Sequence, residues 1–192
     1  MDAGIIVAVA LGIGLSASTG FRVFVPMLVA SVAAYFGVLP LNESFEWLGS
    51  TPALVTFAVA AVVEIMAYYV PFIDNALDII ATPMAVIGGT LLMTSVLPIE
   101  ESLTRWVTGF IVGGGVSAVV QSGSVFSRLL SSQATAGTGN SVVSTGENVG
   151  AVGLSIGALF LPILVALIAI VLVIAVVVSI VKRWQRKHRT IA

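Results

Sequence analysis

The sequence predicts an all-α membrane bundle, a polytopic array of five or six spans with interrupted helices and a weak internal repeat. Three observations carry that prediction. The chain of 192 residues is 58% hydrophobic and 9% charged, with a mean hydropathy of +1.14, whereas a soluble domain carries about 25% charged residues. Apolar stretches long enough to cross a hydrocarbon core of about 30 Å recur along it. Five of the eight basic residues fall in the last eleven positions, which is the placement of a stop-transfer cluster. The division that follows is a single transmembrane domain over 1–181 and a basic cytoplasmic tail over 182–192.

The opening run, 3–37, has Arg22 as its only charge. As one straight helix it would be about 50 Å long, well beyond the hydrocarbon core. A cation near the bilayer centre costs roughly 2.5–3.5 kcal/mol even on the gentler insertion scales, so Arg22 must face protein, water or a bound anion. Ser16, Ser18 and Thr19 offer hydroxyls beside it, Gly20 permits a break, and Pro26 removes a backbone donor. A helix interrupted near 18–20 is expected, opening a polar gap at membrane depth, where irregular backbone survives only against protein or a cavity. The plainer reading is a kinked span whose Arg22 pairs with an internal carboxylate.

A short loop, 38–51, carries Pro40, Glu43, Glu46 and an interfacial Trp47. The second span, about 52–70, holds Glu64, with Tyr68 one turn further along the same face. Pro71 ends it, and 71–78 leads into a third span at about 79–97, with Pro83 in its opening turns, where proline does least harm. After the turn at 98–102, a fourth span runs from about 103 to 130, with Arg128 near its end. The polar stretch 131–147 has one charge, Glu147, and reads as ordered backbone folded against the membrane part, because a disordered linker of that length would be richer in charge. From 148 to 181 there is no charge. That run is too long for one untilted span, so Pro162 marks a kink, a tilt or a division into two helices.

The tail, with Lys182, Arg183, Trp184, Arg186, Lys187 and Arg189, reads first as an anchor, with contact to anionic lipid as the alternative. The positive-inside rule puts it in the cytoplasm; five spans would then place the N-terminus outside and six would place it inside. The start lacks a basic n-region, so no cleaved signal peptide is expected. With no cysteine, disulfides and thiolate metal sites are excluded, and the lone His188 excludes a histidine-built one. A formal net charge of −1 gives no basic surface for nucleic acid, so membrane lipids are the expected partners. Gly109 with Gly113, and Gly153 with Gly157, are spaced as small-residue packing faces, which could also support a homo-oligomer.

The acidic candidates are Glu64, Asp74, Asp78 and Glu147. An apolar span surrounds Glu64, which makes it the strongest, with Arg22 and Arg128 as its expected partners. Asp74 and Asp78 are spaced i, i+4 on one helix face, although Asn75 as N-cap with Asp78 at N3 would merely satisfy the start of the third span. Ser144 and Glu147 have capping-box spacing, so Glu147 would close the start of a helix whose amides and dipole favour an anion. Gly14-Leu-Ser-Ala17 recurs as Gly115-Val-Ser-Ala118, each copy followed by an arginine and then a glutamate, a layout found in transporters built from repeats. Two catalytic look-alikes fail. The glycine pattern at 12–17 lacks strand context and a following acid, and Gly153-Leu-Ser-Ile-Gly157 lies in an uncharged membrane run without a histidine. No enzyme activity and no cofactor are expected.

Residues 14–26, the Glu64-to-Asp78 stretch with its E…P…D…LD pattern, and Arg128, Asn140, Ser144 and Glu147 together resemble the three ordered motifs of the bacterial membrane proteins catalogued as domain of unknown function 4126. The resemblance extends from about Gly12 to Pro162. It implies an α-helical protein of the bacterial inner membrane and no particular activity. One departure is Asn148, which stands where the pattern leads one to expect an acid beside Glu147. The function expected from the residues is a small membrane transporter or lipid-headgroup translocator. Arg22, Ser16, Ser18, Thr19, Arg128, Asn140 and Ser144 would hold an anionic group, and Glu64, Asp74, Asp78 and Glu147 would exchange a proton or sodium ion. A non-transporting scaffold whose buried charges fix helix packing is the alternative.

Overall fold

A computed structural model describes residues 3–70, 73–135 and 137–189, apart from the side chains of 74–76, 184 and 186–189. The described residues form eight α-helices with two irregular helical insertions and no strand. Four stretches, Leu77–Val96, Ser102–Thr135, Asn140–Phe160 and Pro162–Arg183, are long and apolar enough to cross a membrane. A fifth span results if Glu43–Gly49 and Thr51–Ala67, bent by 62° at their junction, count as one. With large apolar side chains such as Ile79, Phe110 and Val171 facing outward, the chain is built as an integral membrane protein.

The first helix, α1 (Ala3–Thr19), is the centre of the bundle. Its second half is buried apart from a half-buried Ile13, packed between α4 (Ile73–Val96), α6 (Gly115–Thr135), α7 (Asn140–Phe160) and α8 (Pro162–Arg189). It stops at Thr19, and the chain restarts as α2 (Phe24–Tyr35) after a four-residue break. Gly20 is required there: a Cβ would lie 2.7 Å from the Ser117 carbonyl oxygen and 2.5 Å from the Val120 Cβ. Pro26 falls in the first turn of α2, where its missing N–H costs nothing. After a 3-10 segment (Glu43–Gly49), α3 (Thr51–Ala67) begins with Ser50 accepting from the Ala53 amide, and it packs chiefly on α2.

The fourth span is one rod in three parts: α5 (Ser102–Thr108), a π-helical segment (Gly109–Gly114) and α6. The wide π turn brings Gly109, Gly113 and Gly114 against α4, where a Cβ on Gly113 would strike the Gly89 carbonyl. Ser117 donates to the Gly113 and Gly114 carbonyls, which absorbs the local hydrogen-bond mismatch. The Gly109/Gly113 face is thus used for close packing within the chain, against α4. Ser16 and Ser117, the serines of the internal echo, both sit at Gly89: Ser16 donates to its carbonyl, and Ser117 fills the space a Cβ there would need.

Three local expectations are corrected. The stretch 131–147 is ordered, as expected, but it is mostly helical and not a polar break lasting until a helix start near Ser144. α6 continues to Thr135 and α7 starts at Asn140, leaving a tight turn with Gly137 at φ +89°. Hydroxyls that looked like loop chemistry ride inside the helices by bonding the carbonyl four residues back, as in Ser127 to Gly123, Thr135 to Ser131 and Thr145 to Ser141. Consequently Ser144 and Glu147 are not a capping box, because the helix starts a turn earlier. Likewise α4 starts at Ile73, so Pro83 lies inside that helix and Asp78 is not an N3 cap; an arginine partner holds its carboxylate instead. Pro162 divides the long uncharged run into α7 and α8, and α8 continues through Arg189.

Candidate functional site

The break after α1 leaves two kinds of polar group inside the apolar bundle: the Arg22 side chain and the first amides of α2. Each needs a partner that lipid cannot supply. Glu64, on the last turn of α3, answers the amides. Its Oε1 accepts from the Val23 N–H at 2.7 Å and its Oε2 from the Phe24 N–H at 2.9 Å. The expected pairing of Glu64 with an arginine is thus replaced by a helix cap, since two adjacent orphan donors match the two carboxylate oxygens.

Arg22 is 1% exposed and turns toward α7. Its Nη1 donates to Glu147 Oε2 at 2.9 Å and to the Phe21 carbonyl at 3.0 Å; its Nε donates to Asn148 Oδ1 at 2.7 Å and its Nη2 to the Ser144 carbonyl at 3.3 Å. Arg128, on α6, meets the same carboxylate: Nε reaches Glu147 Oε1 at 3.2 Å and Nη2 pairs with Oε2. Its Nη1 pairs with Asp78 Oδ1 at 2.5 Å. Ser124, one turn before Arg128, donates to Glu147 Oε1. Both guanidinium groups also lie over the Tyr68 ring, at 3.9 and 4.1 Å from its centroid, a cation–π contact that gains strength where water is excluded.

Glu147 is therefore a carboxylate bridging two buried arginines from a position two turns inside α7. Counting Asp78 and Glu64, two cations face three carboxylates. The surplus of positive potential expected from Arg22, Arg128 and a helix end at Ser144 does not arise, because α7 begins at Asn140 and Glu147 occupies the space between the guanidiniums. The remaining predicted residues divide by role. Ser18 donates to the Ala151 carbonyl at 2.7 Å and contacts Ser155, and Ser16 holds α4, so these two hydroxyls fasten α1 to its neighbours, while Thr19 bonds back to Leu15 within α1. Asn140 exchanges hydrogen bonds with Ser132 across the α6–α7 turn. Ser144 gives its carbonyl to Arg22, while its buried hydroxyl has no partner. The Asp74 side chain lies outside the described residues. Tyr68, Ser124 and Asn148 join the site without having been assigned to it. Tyr68 and Ser124 each stand four residues from a site charge, a spacing that places them on the same helix face.

Two cavities flank the network. One, of about 610 Å³, opens between α3 and α4; its walls include Val55, Val59, Val63 and Ile80, and it ends on Glu64 and Tyr68. The other, of about 240 Å³, lies among α6, α7 and α8 and reaches Ser124, Ser127 and Glu147. The first falls within the 300–1,000 Å³ range of ligand sites; the second has room for several waters beside polar groups. Among the described residues no group of three His, Cys, Asp or Glu side chains could hold a metal ion. In comparison with known families, the model described as domain of unknown function (DUF4126) matches residues 9–182. No curated protein and no solved structure matches the chain.

Proposed function

Because this chain belongs to the DUF4126 family, whose description assigns no activity, we propose a function from the site alone: proton-coupled movement of an anionic amphiphile across the membrane. The observation that carries the reading is Glu147 bridging Arg22 and Arg128, whose guanidiniums lie over the Tyr68 ring, while Tyr68 and Glu64 line a groove whose other described residues are apolar except Thr56. The groove suits an acyl chain. The space held by the Glu147 carboxylate suits a phosphate or carboxylate headgroup, which would take over the same guanidinium donors. Exchange of one anion for the other needs Glu147 to be protonated, and the cavity at Ser124 and Ser127 provides a place for water to deliver that proton. Tyr68 stands between the groove and the arginines and would have to move. The bacterial inner membrane, with the basic tail in the cytoplasm, is the proposed setting.

Proteoliposomes containing the full chain and a fluorescent phosphatidylglycerol test this reading. Translocation, read as loss of dithionite-accessible fluorescence, should exceed that of protein-free vesicles and respond to a pH gradient. Glu147→Gln should retain movement and lose the response to the gradient. A wild-type rate equal to that of protein-free vesicles overturns the proposal. It would favour the second reading, a packing scaffold, which has its own support: each charged side chain of the cluster is partnered within the chain, and Glu64 is engaged as a helix cap.

A further inference from the structure

The outer edge between α6 and α8 carries two further grooves, of about 400 and 320 Å³, which share Phe126, Ile180 and Arg183 as a common wall. The larger adds Leu130, Val176 and Lys182, and the smaller adds Val125 and Leu129. α8 meets α6 closely at Gly123, where a Cβ would lie 2.7 Å from a Val176 methyl. The Arg183 guanidinium lies over the Phe126 ring, 4.5 Å from its centroid, so its charge is held at the mouth of both grooves. None of the described residues lining either groove is acidic. Lys182 and Arg183 are the first charges after the uncharged run through α7 and α8, which sets them at the level where the hydrocarbon ends.

We infer that this edge is a binding site for an anionic phospholipid, with its phosphate at Lys182 and Arg183 and its two acyl chains lying one in each groove, on either side of Phe126. Two largely apolar channels that share Arg183, with Lys182 on the larger and hydroxyls only at Ser127, Ser179, Ser122 and Thr82 among their described residues, match the two chains and the charge of a diacyl anionic lipid. A zwitterionic lipid would bring its own cation against Arg183. Basic pockets between spans at the membrane surface recognise such headgroups. The larger groove shares Gly123, Ser127 and Val176 with the cavity beside Glu147, but no residue of the Glu147 network lines either groove, and the inference does not depend on the transport reading.

The test uses the purified full chain in nanodiscs of phosphatidylcholine and phosphatidylglycerol in equal parts, with the lipids retained after detergent extraction counted by native mass spectrometry. Phosphatidylglycerol should be enriched over phosphatidylcholine. Arg183→Gln and Lys182→Gln, both at exposed positions, should each lower that enrichment about fivefold, the effect of one basic residue at an anionic surface. Neutralising Arg186, Lys187 and Arg189 together should leave it unchanged. Equal retention of the two lipids by the wild-type chain overturns the inference. So does an enrichment that survives Arg183→Gln and disappears on neutralising the three tail residues, because the attraction would then be diffuse and owe nothing to the grooves.

Discussion

Removing Glu147 should cost more than removing Arg22, one of the two arginines it bridges. In Glu147→Gln, Arg22 loses its carboxylate and keeps the Asn148, Phe21 and Ser144 acceptors, while Arg128 still has Asp78 at 2.5 Å. One buried guanidinium is left without an ionic partner, a change that costs about 3–5 kcal/mol. In Arg22→Gln, Glu147 remains paired with Arg128, so the loss is that of hydrogen bonds to a charged group, about 1.5–3 kcal/mol. Once Arg22 is gone, the second substitution leaves Arg128 balanced by Asp78 and adds roughly 1 kcal/mol, the scale of one ordinary hydrogen bond. The two costs are therefore not additive; the coupling energy should be about 2–4 kcal/mol. For a chain of this size each kcal/mol moves the unfolding midpoint by about 2–4 °C, so Glu147→Gln should lower it by roughly 6–20 °C, and the double variant should lie close to Glu147→Gln. Thermal unfolding of the detergent-solubilised chain, followed by circular dichroism, measures all four corners of the cycle. A coupling below about 0.5 kcal/mol, or Arg22→Gln proving the costlier single change, would refute the shared-carboxylate account.

Glu64→Ala should strand the Val23 and Phe24 amides at about 1–3 kcal/mol each, and amide exchange at 23–25 should accelerate before that of the α1 core. Tyr68→Phe should unfold with the wild type, because the ring beneath the two guanidiniums survives, whereas Tyr68→Leu should lose about 2 kcal/mol; equal losses for the two would show that the hydroxyl matters and the ring face does not. At the exposed start of α5, hydrogen bonds from Thr104 and from the Leu103 amide hold the Glu101 carboxyl below its ordinary range. A carboxyl lowered in the folded state contributes above its unfolded pKa and loses that contribution as pH falls through the folded value. Exchange of the Leu103 and Thr104 amides should therefore quicken only on acidification below about pH 4, the ordinary glutamate range, and Glu101→Gln should remove the pH dependence.

The fold class was legible because composition and apolar run length leave a membrane bundle as the only economical way to bury this chain, and because Gly20 and Pro26 flag a break that Arg22 makes necessary. The cost of an intramembrane charge also identified Arg22, Glu64, Arg128 and Glu147 as residues that must find protein partners. What could not be read was who pairs with whom. Glu64 looks like a counter-ion until the orphan amides of α2 are placed beside it, and those amides exist only once the break has a geometry. The misplaced helix start within 131–147 has a different origin. Serine, threonine and glycine are the same in a loop and in a membrane helix whose hydroxyls bond back to their own carbonyls, so local composition could not tell the two apart.

The partners of Arg22 lie far along the chain: its carboxylate arrives 125 residues later and its amide acceptor 126. A polypeptide made from the N-terminus inserts α1 and α2 long before α7 exists. During that interval a cation sits in an apolar hairpin with no mate. The first helices must then linger in an aqueous insertion channel or beside an assembly factor until the seventh joins, and chains ending before residue 147 should be cleared by membrane quality control. The charge that fastens the finished bundle thus also acts as a completeness check during its synthesis.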